Sequence, residues 1–154
     1  MRRHFVSAFA VFLALVTSGL SMAQGNPFVG TWKLNMTKSQ FEPGPPPKSQ
    51  TRTWESSGKV TVKGIDAMGM PRIYGYTIKL DDKEYPTFGA TNGADSIASK
   101  PVDARTVQAT FKMGGKPFEI AKYSVSKNGK VLTIFSQGTR GGHSFNNVQV
   151  WDKQ

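Results

Sequence analysis

The chain has 154 residues, no cysteine, two histidines and a formal charge of +10. The lack of cysteine excludes a disulfide scaffold and any thiolate metal or redox centre, and so few histidines exclude a histidine-rich metal site. The lysines are scattered, so the charge reads as a solvated surface with lysines guarding strand edges, and at most as a weak attraction to an anionic envelope surface.

Residues 1–23 read as a secretory signal peptide. Arg2 and Arg3 precede a mostly apolar stretch over 5–20, and Ser21-Met22-Ala23 is a small-x-small cleavage site. Ser7, Thr17 and Ser18 interrupt the apolar run, whereas a spanning helix needs roughly 20 predominantly apolar residues. Export to a bacterial periplasm or medium is therefore expected, with no transmembrane segment in the mature chain. Residues 24–154 are long enough for one domain with its own core. Without disulfides, that domain depends on packing alone.

Strand chemistry dominates the mature chain. Phe28 begins the first predicted strand, over 28–34. Asn35 is a possible N-cap for a short helix over 36–41. "EPGPPPK", 42–48, cannot be a central strand because its prolines impose a stiff excursion. It is a connector or a flap over a barrel mouth; as a proline-rich ligand for another domain, "PPP" alone is a weak signal. A strand over 49–56 turns at Ser57-Gly58. Lys59–Ile65 alternates, with Val60 and Val62 on one face. The next strand, 72–80, places Tyr74, Tyr76, Ile78 and Leu80 on one face. Asp81-Asp82 then turns the chain into a strand over 83–88.

The strand over 96–102 is marked by Pro101 as lying or ending at an edge. Val107, Ala109 and Phe111 alternate with polar residues over 105–112. Gly114-Gly115 and Asn128-Gly129 are tight-turn signals on either side of a strand over 118–125. Strands over 131–137 and 144–151 flank Gly141-Gly142. The pattern predicts an all-β fold of 8–10 strands with turns every 8–12 residues and no helix beyond the short candidate over 36–41. Successive hairpins favour an antiparallel up-and-down meander, and closing that meander into a barrel removes its exposed edges.

"FVGTWKL", Phe28 to Leu34, resembles the first strand of the calycins, the superfamily of lipocalins and fatty-acid-binding proteins, with its G-x-W motif. "NNVQVWDKQ" at the end is similar to the last strand of the fatty-acid-binding type. The whole also resembles uncharacterised lipocalin-like secreted bacterial proteins. The resemblance implies a closed barrel in which Gly30 lets the backbone bend at the base and Trp32 plugs that base, a structural role. Two departures stand out. No helix–turn–helix lid follows the first strand. The arginine and tyrosine with which fatty-acid-binding proteins hold a carboxylate are replaced at the matching positions by Gln149 and Trp151.

No motif for catalysis emerges. A G-x-S-x-G elbow is absent. His143 and Ser144 are neighbours on a Gly-rich turn, and adjacent strand residues point to opposite faces. Thr139–Phe145, with Arg140 and His143, reads as a hairpin turn before it reads as a binding loop. No aromatic-and-basic single-strand motif points to nucleic acid. In a barrel, inward-facing residues form both core and cavity wall. The candidate ligand contacts are thus Arg52, Trp54, Tyr74, Tyr76, Phe111, Phe135, Gln149 and Trp151. Their mixture suits an amphipathic molecule better than a dry alkyl chain. The expected function is non-enzymatic: an exported barrel that binds a small apolar or amphipathic ligand, with no cofactor or metal. The alternatives are a filled barrel acting as an envelope-associated interaction module, and a barrel enzyme using tyrosine, arginine or His143.

Overall fold

The computed structural model describes residues 25–154; the leader expected over 1–23 lies outside the described residues. The strands in chain order are β1 (Gly30–Leu34), β2 (Gln40–Glu42), β3 (Ser49–Trp54), β4 (Lys59–Ile65), β5 (Pro71–Thr77) and β6 (Glu84–Pro86). They continue with β7 (Phe88–Gly89), β8 (Ser96–Asp103), β9 (Thr106–Met113), β10 (Lys116–Val125), β11 (Val131–Arg140) and β12 (His143–Lys153). All pairings are antiparallel, and they follow the meander the turn spacing predicts.

The sheet closes because its first and last strands pair. Trp32 lies opposite Lys153 and Leu34 opposite Trp151, while the other edge of β1 pairs with β3. One seam remains, between β5 and β8. It is bridged by β6, paired to β8, and β7, paired to β5, which are separated only by Thr87. The barrel is therefore nearly closed, with a split stave in place of one full strand. Pro101 occupies the lower part of β8, beyond the stretch that β6 covers, where no second neighbour needs its missing N–H.

One end of the barrel is packed solid. Trp32, Trp54, Trp151, Tyr123, Leu132 and Val60 are all but inaccessible there. Phe28 stacks on Trp54 with centroids 4.8 Å apart, and Tyr123 meets the same indole edge-on at 5.8 Å. The Trp32 indole N–H donates to the Phe28 carbonyl at 2.9 Å, so its one polar atom is satisfied inside the plug. The Lys153 ammonium lies 5.0 Å from the ring centroid. Gly30 has φ = +139°, a conformation that side chains with a Cβ rarely adopt, and a Cβ there would stand 2.8 Å from Lys153 Cε. The G-x-W phrase is thus a bend followed by a stopper.

Three local expectations change. The helix predicted over 36–41 is a single 3₁₀ turn, Met36–Lys38, capped by the Asn35 side chain, which accepts from the Lys38 N–H. The residues after it are drawn into β2, which pairs with Asn146, Asn147 and Val148 of β12. The strand predicted over 72–80 ends at Thr77, and Leu80 turns outward with φ = 61° instead of sharing the inner face with Tyr74 and Tyr76. The strand predicted over 83–88 is broken at Thr87, whose N–H donates to the Asp95 carbonyl and so continues the β6–β8 ladder before the chain crosses to β5.

Candidate functional site

Above the plug the barrel is hollow. A cavity of about 490 Å³ opens at the end where β3, β5, β10 and β12 begin, within the ordinary range for small-molecule sites, roughly 300–1,000 Å³. Its floor is Arg52, Tyr76 and Tyr123, brought together from β3, β5 and β10 because each falls on an inward position of its strand. The Arg52 Nη1 donates to the Tyr76 hydroxyl, and the Tyr76 and Tyr123 hydroxyls are hydrogen-bonded at 2.8 Å. The guanidinium carbon lies 4.6 Å from the Trp151 ring centroid, so the cation rests on the top of the aromatic plug.

Arg52 is buried, at 3 % exposure, and makes no ion pair among the described residues. Its Nε–H has no hydrogen-bond partner there either. Burial works against the charge, the Tyr76 hydroxyl favours it by accepting a hydrogen bond from the guanidinium, and the guanidinium pKa is raised. Burial pushes the Tyr74 phenol up to about 12 and the Tyr123 phenol well above its usual value. At physiological pH the floor therefore holds one fixed positive charge beside the neutral phenols of Tyr74 and Tyr123.

The walls are mixed. Gln50, Ser136, Asn147 and Gln149 present amides and a hydroxyl, while Phe111 and Ile134 supply apolar patches. Two ion pairs lie higher: Arg140 with Glu119 at 3.3 Å, and Arg72 with Asp66 at 2.9 Å. Arg140 also lies over the Phe145 ring, 4.7 Å from its centroid. Burial raises the Glu119 carboxyl pKa, against the pull of Arg140, a hydrogen bond from Ser136 and the more distant Arg52. The proline excursion crosses the mouth, where Phe41, Pro43, Pro45 and Pro47 form part of the rim.

Of the predicted contacts, Arg52, Tyr74, Tyr76, Phe111 and Gln149 line the cavity. Trp54 and Trp151 do not; they belong to the plug beneath it. Phe135 is corrected outright. It faces outward, 37 % exposed, because the alternation of β11 sends Leu132, Ile134 and Ser136 inside. His143 sits exposed at the β11–β12 hairpin and is not part of the cavity wall. Residues that were not singled out as contacts include Tyr123, Glu119 and Ser136. The signal for the first two was present: Glu119, Ala121, Tyr123 and Val125 alternate along β10. Arg140, read as part of a turn, is also part of the wall.

Among the described residues no group of three His, Cys, Asp or Glu side chains is placed to hold a metal ion, and no helix is long and apolar enough to cross a membrane. The chain matches no protein-family model, no curated protein and no solved structure.

Proposed function

We propose that this chain is a non-enzymatic, calycin-like barrel that is exported by its leader and encloses a small amphipathic molecule. The observation that carries the reading is the half-filled interior: a cavity of about 490 Å³, open at one end, above an aromatic plug, with a buried cation at its floor. A barrel serving only as a surface has no need of such a space, because a packed interior gains dispersion and hydrophobic energy that a hollow one forgoes. Kinship with the calycins is supported by the G-x-W phrase acting as bend and stopper and by the pairing of first and last strands. The reading that the protein is not an enzyme rests on the site's make-up. Its polar groups are a fixed cation, phenols held neutral and amides, which bind and orient; Glu119, a carboxylate, is engaged by Arg140.

The test is native mass spectrometry on protein purified from its source without denaturation. The expected result is a co-purifying small molecule that is released on unfolding. A clean apoprotein, together with no thermal shift across a panel of lipids and metabolites, would overturn the reading in favour of an interaction module.

A further inference from the structure

We propose that the cavity selects organic monoacids that carry additional hydroxyl or carbonyl groups, their carboxylate held at the floor by Arg52 and the Tyr76–Tyr123 pair. The proposal rests on the ligand-binding reading above and deepens it.

The floor has more donors than acceptors. A guanidinium offers five N–H donors and no acceptor. One of Arg52's goes to Tyr76, and its Nε–H is unpartnered among the described residues. The two phenols bring two hydroxyl protons. Only one of these can lie in the bond between them, so whichever way it points, one O–H remains to be given elsewhere. A buried donor cluster with a net charge calls for an acceptor that is itself charged, since charge-assisted hydrogen bonds are about twice as strong as neutral ones.

The single unpaired charge at the floor suits a monoanion. Three arginines line the cavity: Arg52, Arg72 and Arg140. Three acids line it too: Asp66 pairs with Arg72 at 2.9 Å, Glu119 pairs with Arg140 at 3.3 Å, and Glu42 is exposed at the rim, so Arg52, buried at the floor, has no ion-pair partner. One unmatched cation suits one carboxylate. A phosphate dianion would keep a second negative charge buried, at a high desolvation cost.

The wall defines the remainder of the ligand. Gln50, Ser136, Asn147 and Gln149 would be stripped of water by a saturated chain that offers them nothing in return. Hydroxyl or carbonyl groups on the ligand replace those lost hydrogen bonds, while Phe111 and Ile134 accommodate a ring or a short apolar segment.

The test is calorimetric titration of the mature protein, stripped of any bound molecule, with two matched pairs. The first is 4-hydroxycinnamate and its neutral amide, which differ only at the head. The second is 12-hydroxydodecanoate and laurate, which differ only by a hydroxyl. The neutral fluorophore N-phenyl-1-naphthylamine reports on the cavity independently. The expected result is at least tenfold tighter binding of the acid than of its amide, and of the hydroxylated chain than of laurate. Arg52→Gln and the double variant Tyr76→Phe/Tyr123→Phe, which keeps both rings, should lose the acid preference while still binding the fluorophore. Equal affinity for acid and amide, or laurate binding more tightly than its hydroxylated partner, overturns the proposal; these comparisons use the wild-type protein, so no variant need fold. Retention of the acid preference in Arg52→Gln also overturns it. Fluorophore binding without acid preference sinks this proposal alone, whereas no binding of the fluorophore or of any acid sinks the ligand-binding reading with it.

Discussion

The two halves of this barrel are made of the same strands and carry opposite chemistry. Along β3 the inward residues run from Trp54 at the base through Arg52 to Gln50 at the mouth; along β10, from Tyr123 through Ala121 to Glu119. On β11 they run from Leu132 through Ile134 to Ser136, and on β12 from Trp151 through Gln149 to Asn147. Four strands thus change from apolar to polar in the same direction. The lower half is a core whose task is stability. The upper half holds amides, ion pairs and a lone guanidinium, which contribute little to folding and are costly to bury. A barrel selected for stability alone would continue the lower pattern to the top.

If that division is real, truncating the stopper should be the most damaging single change. Trp32→Ala removes the indole that crosses the base and leaves a void that the closed wall cannot collapse into. A loss of about 3–5 kcal/mol is expected from the behaviour of large aromatic truncations in cores. Urea unfolding followed by tryptophan fluorescence or circular dichroism measures it. A loss below about 1 kcal/mol would show that the base is not the stabilising half.

The lower half was the more legible in the sequence. Gly30 and Trp32 are recognisable as a G-x-W phrase at the head of the first strand, and alternation in β4 and β9 marks Val60, Val62, Val107 and Ala109 as inward. Tight turns at Gly114-Gly115, Asn128-Gly129 and Gly141-Gly142 set the strand order. The upper half was harder to read for a physical reason. Polar residues facing inward look the same as polar residues facing solvent until the register is known. Ser136 therefore carries no local signal, and Phe135 reads as cavity wall because an aromatic residue in a strand is usually core. The split at Thr87 and the outward turn of Leu80 depend on long-range pairing across the seam, which no local pattern contains. Arg52 was legible as a candidate, but its lack of a counterion was not, since that depends on which acids Arg72 and Arg140 capture.

The bend at Gly30 gives a second test of the base. Gly30→Ala places a Cβ where φ is +139° and the Lys153 side chain is 2.8 Å away. The lysine can move, but the backbone conformation cannot be relieved without moving β1. The expected cost is about 1–3 kcal/mol, read from the same urea curves. A neutral outcome would mean that the G-x-W phrase owes its glycine to something other than this bend.

Arg52→Met should move stability the other way. Replacing a buried, incompletely paired ion by an apolar side chain of similar length is often stabilising by about 1–4 kcal/mol. Loss of the cation resting on Trp151 offsets up to about 2 kcal/mol of that. A net gain of about 1 kcal/mol is expected, measured as a raised urea midpoint with unchanged slope. The contrast with Trp32→Ala is the sharpest form of the comparison: one buried residue stabilises the fold, while another, one strand away and directly opposite in register, works against it. A marked destabilisation of the Arg52→Met protein would place the guanidinium among the structural residues and erase the boundary between the halves.

The smallest effect expected is a pH dependence confined to the upper half. Burial holds the Glu119 pKa above its usual carboxylate value, so between the unfolded and folded pKa the folded protein binds more protons than the unfolded chain. Stability must then fall as pH rises from about 4.5, the ordinary value for this side chain, through the folded pKa of Glu119, and level off above it. Asp66, Asp81, Glu84 and Asp103 are shifted downward, led by hydrogen bonds from Met70, Tyr85, Lys112 and Arg105 respectively. Their contribution is complete above the ordinary carboxylate range and is lost only as pH falls through their lowered values, so the two effects occupy separate windows. Glu119→Gln keeps the shape and removes the titration. Urea midpoints taken in steps from pH 4.5 to 7 should decline in the wild type and stay level in this variant. The same slope in both proteins would assign the dependence to another group and show that the Glu119 carboxyl is as well solvated as one on the surface, against its burial in the polar half of the barrel.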